Sequence, residues 1–90
     1  MMYPYMVLAD GTEIVHSQLL KDQAGNTSVE VHFERPKEGG FDSARCSLPS
    51  YTWELREGFS NQEIVFFEEF LKHNAHLFFR FAEKGGIGCA

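Results

Sequence analysis

The stretch Phe59-Ser60-Asn61-Gln62-Glu63-Ile64 decides the fold of this 90-residue chain, because it fixes where a long helix begins. With Ser60 as the N-cap, Glu63 falls at the third helical position, and the two residues complete a capping box in which each side chain bonds the other's backbone N–H. Phe59, just before the cap, is placed to pack on Ile64 as a hydrophobic staple. The helix is therefore predicted to start here.

The other end of the helix is marked by Glu83-Lys84-Gly85-Gly86-Ile87. A glycine suits the left-handed C-terminal cap, and a lysine suits the negative end of the helix dipole. These signals predict a helical region over 60–84 and a flexible tail over 85–90. The apolar phase is kept throughout, which predicts one continuous helix of roughly 37 Å. Asn74 projects into the apolar arc, however, and leaves open two consecutive helices with Asn74 as the junction.

The apolar side of this helix is unusually wide. Stepping about 100° per residue places ten apolar side chains within an arc of about 180°. They are Ile64, Phe66, Phe67, Phe70, Leu71, Ala75, Leu77, Phe78, Phe81 and Ala82. One sheet face covers a narrower arc, so Phe66, Leu77 and Phe81 at one edge, and Phe79 on the other side, are predicted interface residues. We expect a homodimer or a protein partner to cover them, with a fully packed monomer core as the alternative.

Strand patterns occupy the rest of the chain. Alternating apolar residues and intervening turn signals predict four strands at about 3–8, 13–20, 28–34 and 43–55. Asp10-Gly11 is a hairpin turn signal, and the composition of 36–40 predicts a loop. Pro49 shifts the apolar parity within the fourth strand, which predicts a bulge or bend near Pro49. The prediction is a single α+β domain over 1–90, with an antiparallel meander of about four strands and the helix packed on one face.

A pair of histidines is the most site-like arrangement in the predicted sheet. If the second turn spans 22–26, paired positions place His16 directly across from His32 on the polar face, flanked by Glu30 and Glu34. Imidazole nitrogens and carboxylate oxygens are ligands for divalent metals, so these four residues are candidate metal ligands. The alternative is an ordinary solvated sheet face. No cofactor is expected apart from this metal.

The two cysteines, Cys46 and Cys89, could form at most one bridge, and neither lies in a metal-binding pair. Cys46 with a histidine could be imagined as a nucleophile and its base. Its alternation with Ala44 and Leu48 instead favours a buried core thiol.

Composition narrows the classes of partner. Hydrophobic residues make up 43% of the chain and argue against disorder, while 13 acidic against eight basic residues give a net charge of -5. The basic residues are dispersed among acidic ones, so nucleic acid is not an expected partner. We expect no membrane span, because no apolar run approaches about 18 residues, and a cytoplasmic location, because no basic leader begins the chain.

The functional hypotheses follow from these features. Because no compact catalytic signature is present, the first hypothesis is a non-enzymatic module that self-associates or binds a protein through the aromatic helix face or a sheet edge. The rival is a small metal-dependent protein or enzyme that uses the His16 and His32 face.

Overall fold

The computed structural model describes residues 2–85, which form an antiparallel sheet and one C-terminal helix. The elements in chain order are β1 (Met2–Val7), β2 (Glu13–Ser17), β3 (Leu20–Lys21), β4 (Thr27–Lys37), β5 (Gly40–Leu48), β6 (Thr52–Glu57) and α1 (Asn61–Lys84). The main order in the sheet is β1-β2-β4-β5-β6, and β3 pairs with β4. The α+β class is confirmed.

The number of strands is higher than the predicted four. The segment predicted as one strand over 43–55 is two strands, β5 and β6, because the chain reverses at Pro49 rather than bending. The Leu48–Pro49 peptide is cis, and Tyr51 has a positive φ of 57°. The predicted strand over 13–20 is likewise divided into β2 and β3.

The predicted loop at 36–40 is wrong, because β4 and β5 leave only Glu38 and Gly39 as a turn. Pro36 lies within β4 and pairs with Phe41. Proline cannot donate to a sheet ladder. It is accommodated because the pairing of β2 with β4 ends at Glu34, so beyond that point β4 needs no donor on that side.

The predicted register between the second and third strands is correct near the turn and wrong beyond it. Leu20 pairs with Ser28 as predicted, but His16 pairs with Val31 instead of His32. Three residues of one chain segment therefore lie opposite two of the other, as in a β-bulge. Within the bulge, Ser17 Oγ accepts a hydrogen bond from the backbone N–H of Glu30 at 2.9 Å. The one-residue slip turns His16 toward the helix.

Both ends of α1 are confirmed. The Glu63 backbone N–H donates to Ser60 Oγ at 3.1 Å, and the Ser60 N–H donates to Glu63 Oε1 at 2.9 Å. Gly85 closes the helix in the left-handed conformation, with its N–H donated to the Phe81 carbonyl. Apart from Gly85, the predicted flexible tail lies outside the described residues.

Asn74 does not interrupt α1, so the single-helix prediction is confirmed. Its amide donates to the Phe70 carbonyl at 2.8 Å, and its Oδ1 accepts a hydrogen bond from the Tyr5 hydroxyl at 2.7 Å. Both polar atoms in the apolar arc thus have partners, and a polar group that is paired costs little to bury.

The core lies between α1 and one face of the sheet. Its buried side chains come from β2, β4, β5 and the helix. They are Ile14, Val29, Val31, Phe33, Ala44, Cys46, Leu48, Ile64, Phe67, Leu71, Phe78 and Ala82. Tyr51 and Trp53 are partly buried against this core. The Trp53 indole N–H donates to Glu68 at 3.1 Å and ties β6 to α1.

Candidate interaction surface

A groove lies between the β1–β2 turn and the first turns of α1. It has a volume of about 550 Å³ and is open to solvent. Its lining residues are Leu8, Ala9, Asp10, Ser60, Gln62, Glu63, Phe66 and Phe67. The lining is mainly apolar, with polar groups along the rim, a combination typical of binding sites.

Local sequence signals place both walls of the groove. In the β1–β2 turn, Asp10 Oδ1 accepts from the Thr12 N–H at 2.9 Å, and the Leu8 N–H donates to the Thr12 carbonyl at 2.8 Å. The capping box sets the first turn of the helix opposite. Phe67 is buried and stacks on Phe33, with ring centroids 4.2 Å apart. This contact holds the first turns of α1 against the sheet.

One large apolar side chain that lines the groove is exposed. Phe66 is 55% exposed, whereas the lining residue Phe67 is buried. Val65 and Val7, which are next in sequence to lining residues but do not line the groove, are 57% and 62% exposed. An exposed apolar side chain in an apolar concave site is typical of interaction surfaces.

An ionic cluster centred on Arg35 joins the groove to the sheet. The guanidinium donates to Asp42 Oδ2 through Nε at 3.0 Å and Nη2 at 2.7 Å, and Nη1 lies 3.3 Å from Asp10 and also bonds Glu63. Lys37 Nζ lies 2.8 Å from the second oxygen of Asp42. The cluster therefore links the β1–β2 turn, the β4–β5 hairpin and the start of α1.

The packing around this cluster holds its groups in place. The Arg35 guanidinium carbon lies 4.8 Å from the centroid of the Phe59 ring, a cation–π contact. Gly58 lies directly against the Asp42 carboxylate, so a methyl group added there would stand 2.0 Å from Oδ1. Because Gly58 also has a φ of +89°, both space and backbone geometry require glycine.

The cluster keeps its carboxylates ionised. Hydrogen bonds from the Ser60 backbone and then from Arg35 lower the pKa of Glu63. Hydrogen bonds from Thr12, aided by Arg35, lower the pKa of Asp10, and Lys37 followed by Arg35 lowers that of Asp42. The same carboxylates, Glu63 first, raise the pKa of Arg35. The rim of the groove thus carries fixed negative charge at neutral pH.

The four predicted interface residues do not form one patch. Phe66 lies in the groove, whereas Leu77, Phe79 and Phe81 are half-buried in the second half of α1. Phe79 packs against the core, and the Phe81 ring centroid lies 6.1 Å from that of Tyr5. Eleven residues separate Phe66 from Leu77, which is about 16 Å along a helix. Only Phe66 belongs to the groove.

The predicted histidine pair is not present. His16 faces the core and is fully buried, with its ring centroid 5.8 Å from that of Phe78 and 5.6 Å from that of Tyr3. His16 Nδ1 donates to the Ser17 carbonyl at 2.8 Å, and the buried Nε2 has no hydrogen-bond partner among the described residues. The metal hypothesis loses the geometry on which it depended, because the bulge at Ser17 separates the two imidazoles.

The other candidate metal ligands remain on the open face of the sheet. His32 Nε2 lies 3.0 Å from Glu30 Oε1, and Arg45 Nε lies 3.9 Å from the same oxygen. Glu34 is exposed and pairs across the sheet with Glu13. Among residues 2–85, no three His, Cys, Asp or Glu side chains are grouped closely enough to hold a metal ion.

Cys46 is a core thiol, as predicted from its alternation. It is fully buried, and burial, with lesser contributions from Glu68 and Glu54, raises its pKa to about 12. The thiol is therefore protonated at neutral pH and is a poor nucleophile. Cys89 lies outside the described residues. Within the described part of the chain, no helix is long and apolar enough to cross a bilayer.

The groove and the Arg35 cluster are absent from the sequence-based candidates. The Asp10-Gly11 turn and the Ser60 and Glu63 cap are local signals, and both are visible in the sequence. What joins them is Arg35, whose contacts depend on the β4–β5 pairing that sets it beside Asp42. If Glu38-Gly39 is recognised in the sequence as a two-residue hairpin turn, the resulting register predicts that Arg35 pairs with Asp42. No protein-family model, curated protein or solved structure matches the chain.

Proposed function

We propose that this protein is a small non-enzymatic interaction domain that binds a segment of another polypeptide in the groove beside Phe66. The observation that carries the proposal is the exposure of Phe66, at 55%, in an apolar concave site on a molecule whose other helical phenylalanines are at least half-buried. Fully burying a phenylalanine contributes roughly 1.5–3 kcal/mol, and covering the exposed 55% of Phe66 contributes about half of that. A cytoplasmic location remains a prediction.

The groove is a better docking site than either edge of the sheet. The β1 edge contains Pro4 and a register shift between Pro4 and Met6, and both features oppose pairing with a further strand. The β6 edge carries the charged residues Glu54, Arg56 and Glu57. Charged side chains on an edge strand also disfavour strand addition. Side-chain docking in the groove is therefore favoured over strand addition.

The chemistry of the groove favours binding over catalysis. The described residues that line it include neither histidine nor cysteine, and the hydroxyl of Ser60 is engaged in the helix cap. General acid–base or nucleophilic catalysis needs a nucleophile and a base within hydrogen-bond reach of each other. The carboxylates of Asp10 and Glu63 are instead bound to Arg35 and have lowered pKa values, which makes them weak bases.

The test selects peptides that bind the protein from a random library displayed on phage. Phage that also bind a Phe66→Ser variant are removed first. Phe41→Ser is the matched control, because Phe41 is 57% exposed and does not line the groove. We expect peptides that bind the wild type and the Phe41→Ser variant but lose at least about tenfold in affinity for Phe66→Ser. Circular dichroism melting checks that both variants fold.

Light scattering coupled to size exclusion completes this test, because the groove could also take a second copy of the chain. Self-association that Phe66→Ser abolishes and Phe41→Ser preserves would also support the groove as an interface. A wild-type monomer for which no Phe66-dependent peptide is enriched would contradict the proposed function.

A further inference from the structure

We propose that the segment bound in the groove is basic as well as apolar, with a lysine or arginine next to a large apolar side chain. This inference rests on the proposed function and adds the charge of the partner. It follows from the charged side chains that line the groove, which are acidic.

Among the described residues that line the groove, the ionisable groups are both acidic. Asp10 and Glu63 bond the same Arg35 Nη1, and their side chains are 50% and 33% exposed. Arg35 and Lys37 are not lining residues. The lining therefore offers carboxylate oxygens to a ligand, whereas Arg35, the cation that holds both, is only 24% exposed.

The local charges do not cancel. Three carboxylates, from Asp10, Asp42 and Glu63, are held by the two cations of Arg35 and Lys37, which leaves one net negative charge. Arg35 divides its donors among all three carboxylates. A cation from a partner would complete the neutralisation at the rim, while its apolar neighbour covers Phe66.

The start of the helix does not offset this preference. Free backbone N–H groups at a helix N-terminus attract anions. Here the Ser60 N–H is bound by Glu63 Oε1 and the Glu63 N–H by Ser60 Oγ. The capping box therefore uses two of the donors that an acidic ligand would need.

A second copy of the chain fits less well. In a two-fold dimer the same patch meets itself, so the Asp10 and Glu63 carboxylates of one copy would approach those of the other in a chain of net charge -5.

The experiment uses the peptides selected with the wild-type protein and two charge-neutral variants of it. Asp10→Asn keeps the oxygen that accepts from Thr12, and Glu63→Gln keeps a side chain able to complete the capping box. Glu69→Gln is the matched control, because Glu69 lies on the same helix, outside the groove, and its change removes the same charge.

We expect the selected peptides to be net basic. Affinity should fall about threefold in each of Asp10→Asn and Glu63→Gln and about tenfold in the double variant, with little change in Glu69→Gln. The loss should shrink as salt is raised, because exposed charges are screened beyond about 10 Å at 0.1 M.

The outcomes separate this inference from the proposed function. Peptides that are neutral or acidic, or that bind the double variant as tightly as the wild type, would overturn the basic partner while their Phe66 dependence still supports the groove. Self-association through Phe66 without peptide binding would make a second copy the occupant and also overturn it. If neither peptides nor a second copy depend on Phe66, the proposed function itself fails.

Discussion

The two halves of helix α1 carry the same kind of apolar residues but end in different surroundings. In the second half, Phe78 is fully buried beneath Tyr5 and His16, with ring centroids at 4.3 and 5.8 Å. In the first half, Phe67 is buried on Phe33, yet its neighbour Phe66 is left 55% exposed beside the groove. The half that Tyr5 covers builds the core, and the other half keeps an accessible surface.

The difference comes from what the first strand places over the helix. Tyr5 reaches α1, bonds Asn74 and packs on Phe78. Farther along, the turn after Leu8 brings Asp10 rather than an aromatic side chain, and Asp10 joins an ionic cluster. At this end of α1 the apolar side chain of Tyr5 is therefore replaced by charged groups, and Phe66 is left exposed. The aromatic packing under Tyr5 and the proposed binding groove therefore lie at opposite ends of one helix.

The largest expected effect comes from truncating one phenylalanine in each half of α1. Phe78→Ala should lower the free energy of unfolding by about 3–5 kcal/mol, because it leaves a cavity in a closed part of the core. Phe66→Ala should change it by less than about 1 kcal/mol, because the side chain is already largely in water. Urea unfolding measures both. Equal losses would show that the groove end is as tightly packed as the other.

A second prediction concerns the ionic cluster centred on Arg35. Gly58→Ala should destabilise the fold by about 2–4 kcal/mol, because it combines a left-handed backbone with a clash against Asp42. Gly25→Ala is the matched control: its φ is +88°, and nothing lies within 4 Å of the added methyl group. It should cost only about 1–2 kcal/mol. Similar thermal melting of the two variants would mean that Asp42 moves away freely.

The smallest expected effect is on the pH dependence of stability. The folded pKa values of Asp10, Asp42 and Glu63 are lowered, so their contribution is fully present above the ordinary carboxyl pKa of about 4. It is lost as the pH falls from there through the lowered folded values. Water screens these near-surface groups, which keeps the effect small.

Arg35→Gln should flatten this acid-side loss of stability, because Arg35 contributes to lowering all three pKa values. The measurement is the free energy of urea unfolding at a series of pH values from neutral to acidic, for the wild type and the variant. Parallel curves would show that Arg35 does not stabilise the ionised carboxylates. His73→Gln, on the exposed part of α1, serves as a control for the general effect of substitution.

Much of the fold could be predicted from local sequence. The boundaries of α1 rest on Ser60, Glu63 and Gly85, which act within one turn of the chain. The alternation of Val29, Val31 and Phe33 correctly identified a half-buried strand. The α+β class follows from these two patterns, because each element must bury its apolar side against another.

The site could be predicted only in fragments. The width of the apolar arc predicts Phe66 as an interface residue, but it predicts Leu77 and Phe81 equally, and these two are half-buried, as is Phe79 on the other side. Phe81 lies beside Tyr5, which reaches the same helix from β1 and whose hydrogen bond to Asn74 spans 69 residues of sequence. Local periodicity contains no information about such a contact.

The sequence by itself determined the helix, its two ends and the apolar faces of helix and sheet, because each depends on residues within a few positions of one another. Only the tertiary structure decided that His16 lies in the core and that Phe66 lies in a groove. The first depends on a one-residue bulge, where Ser17 Oγ accepts the hydrogen bond of Glu30 and turns His16 from the open face to the helix. The second depends on Arg35, which draws two distant turns together through their carboxylates.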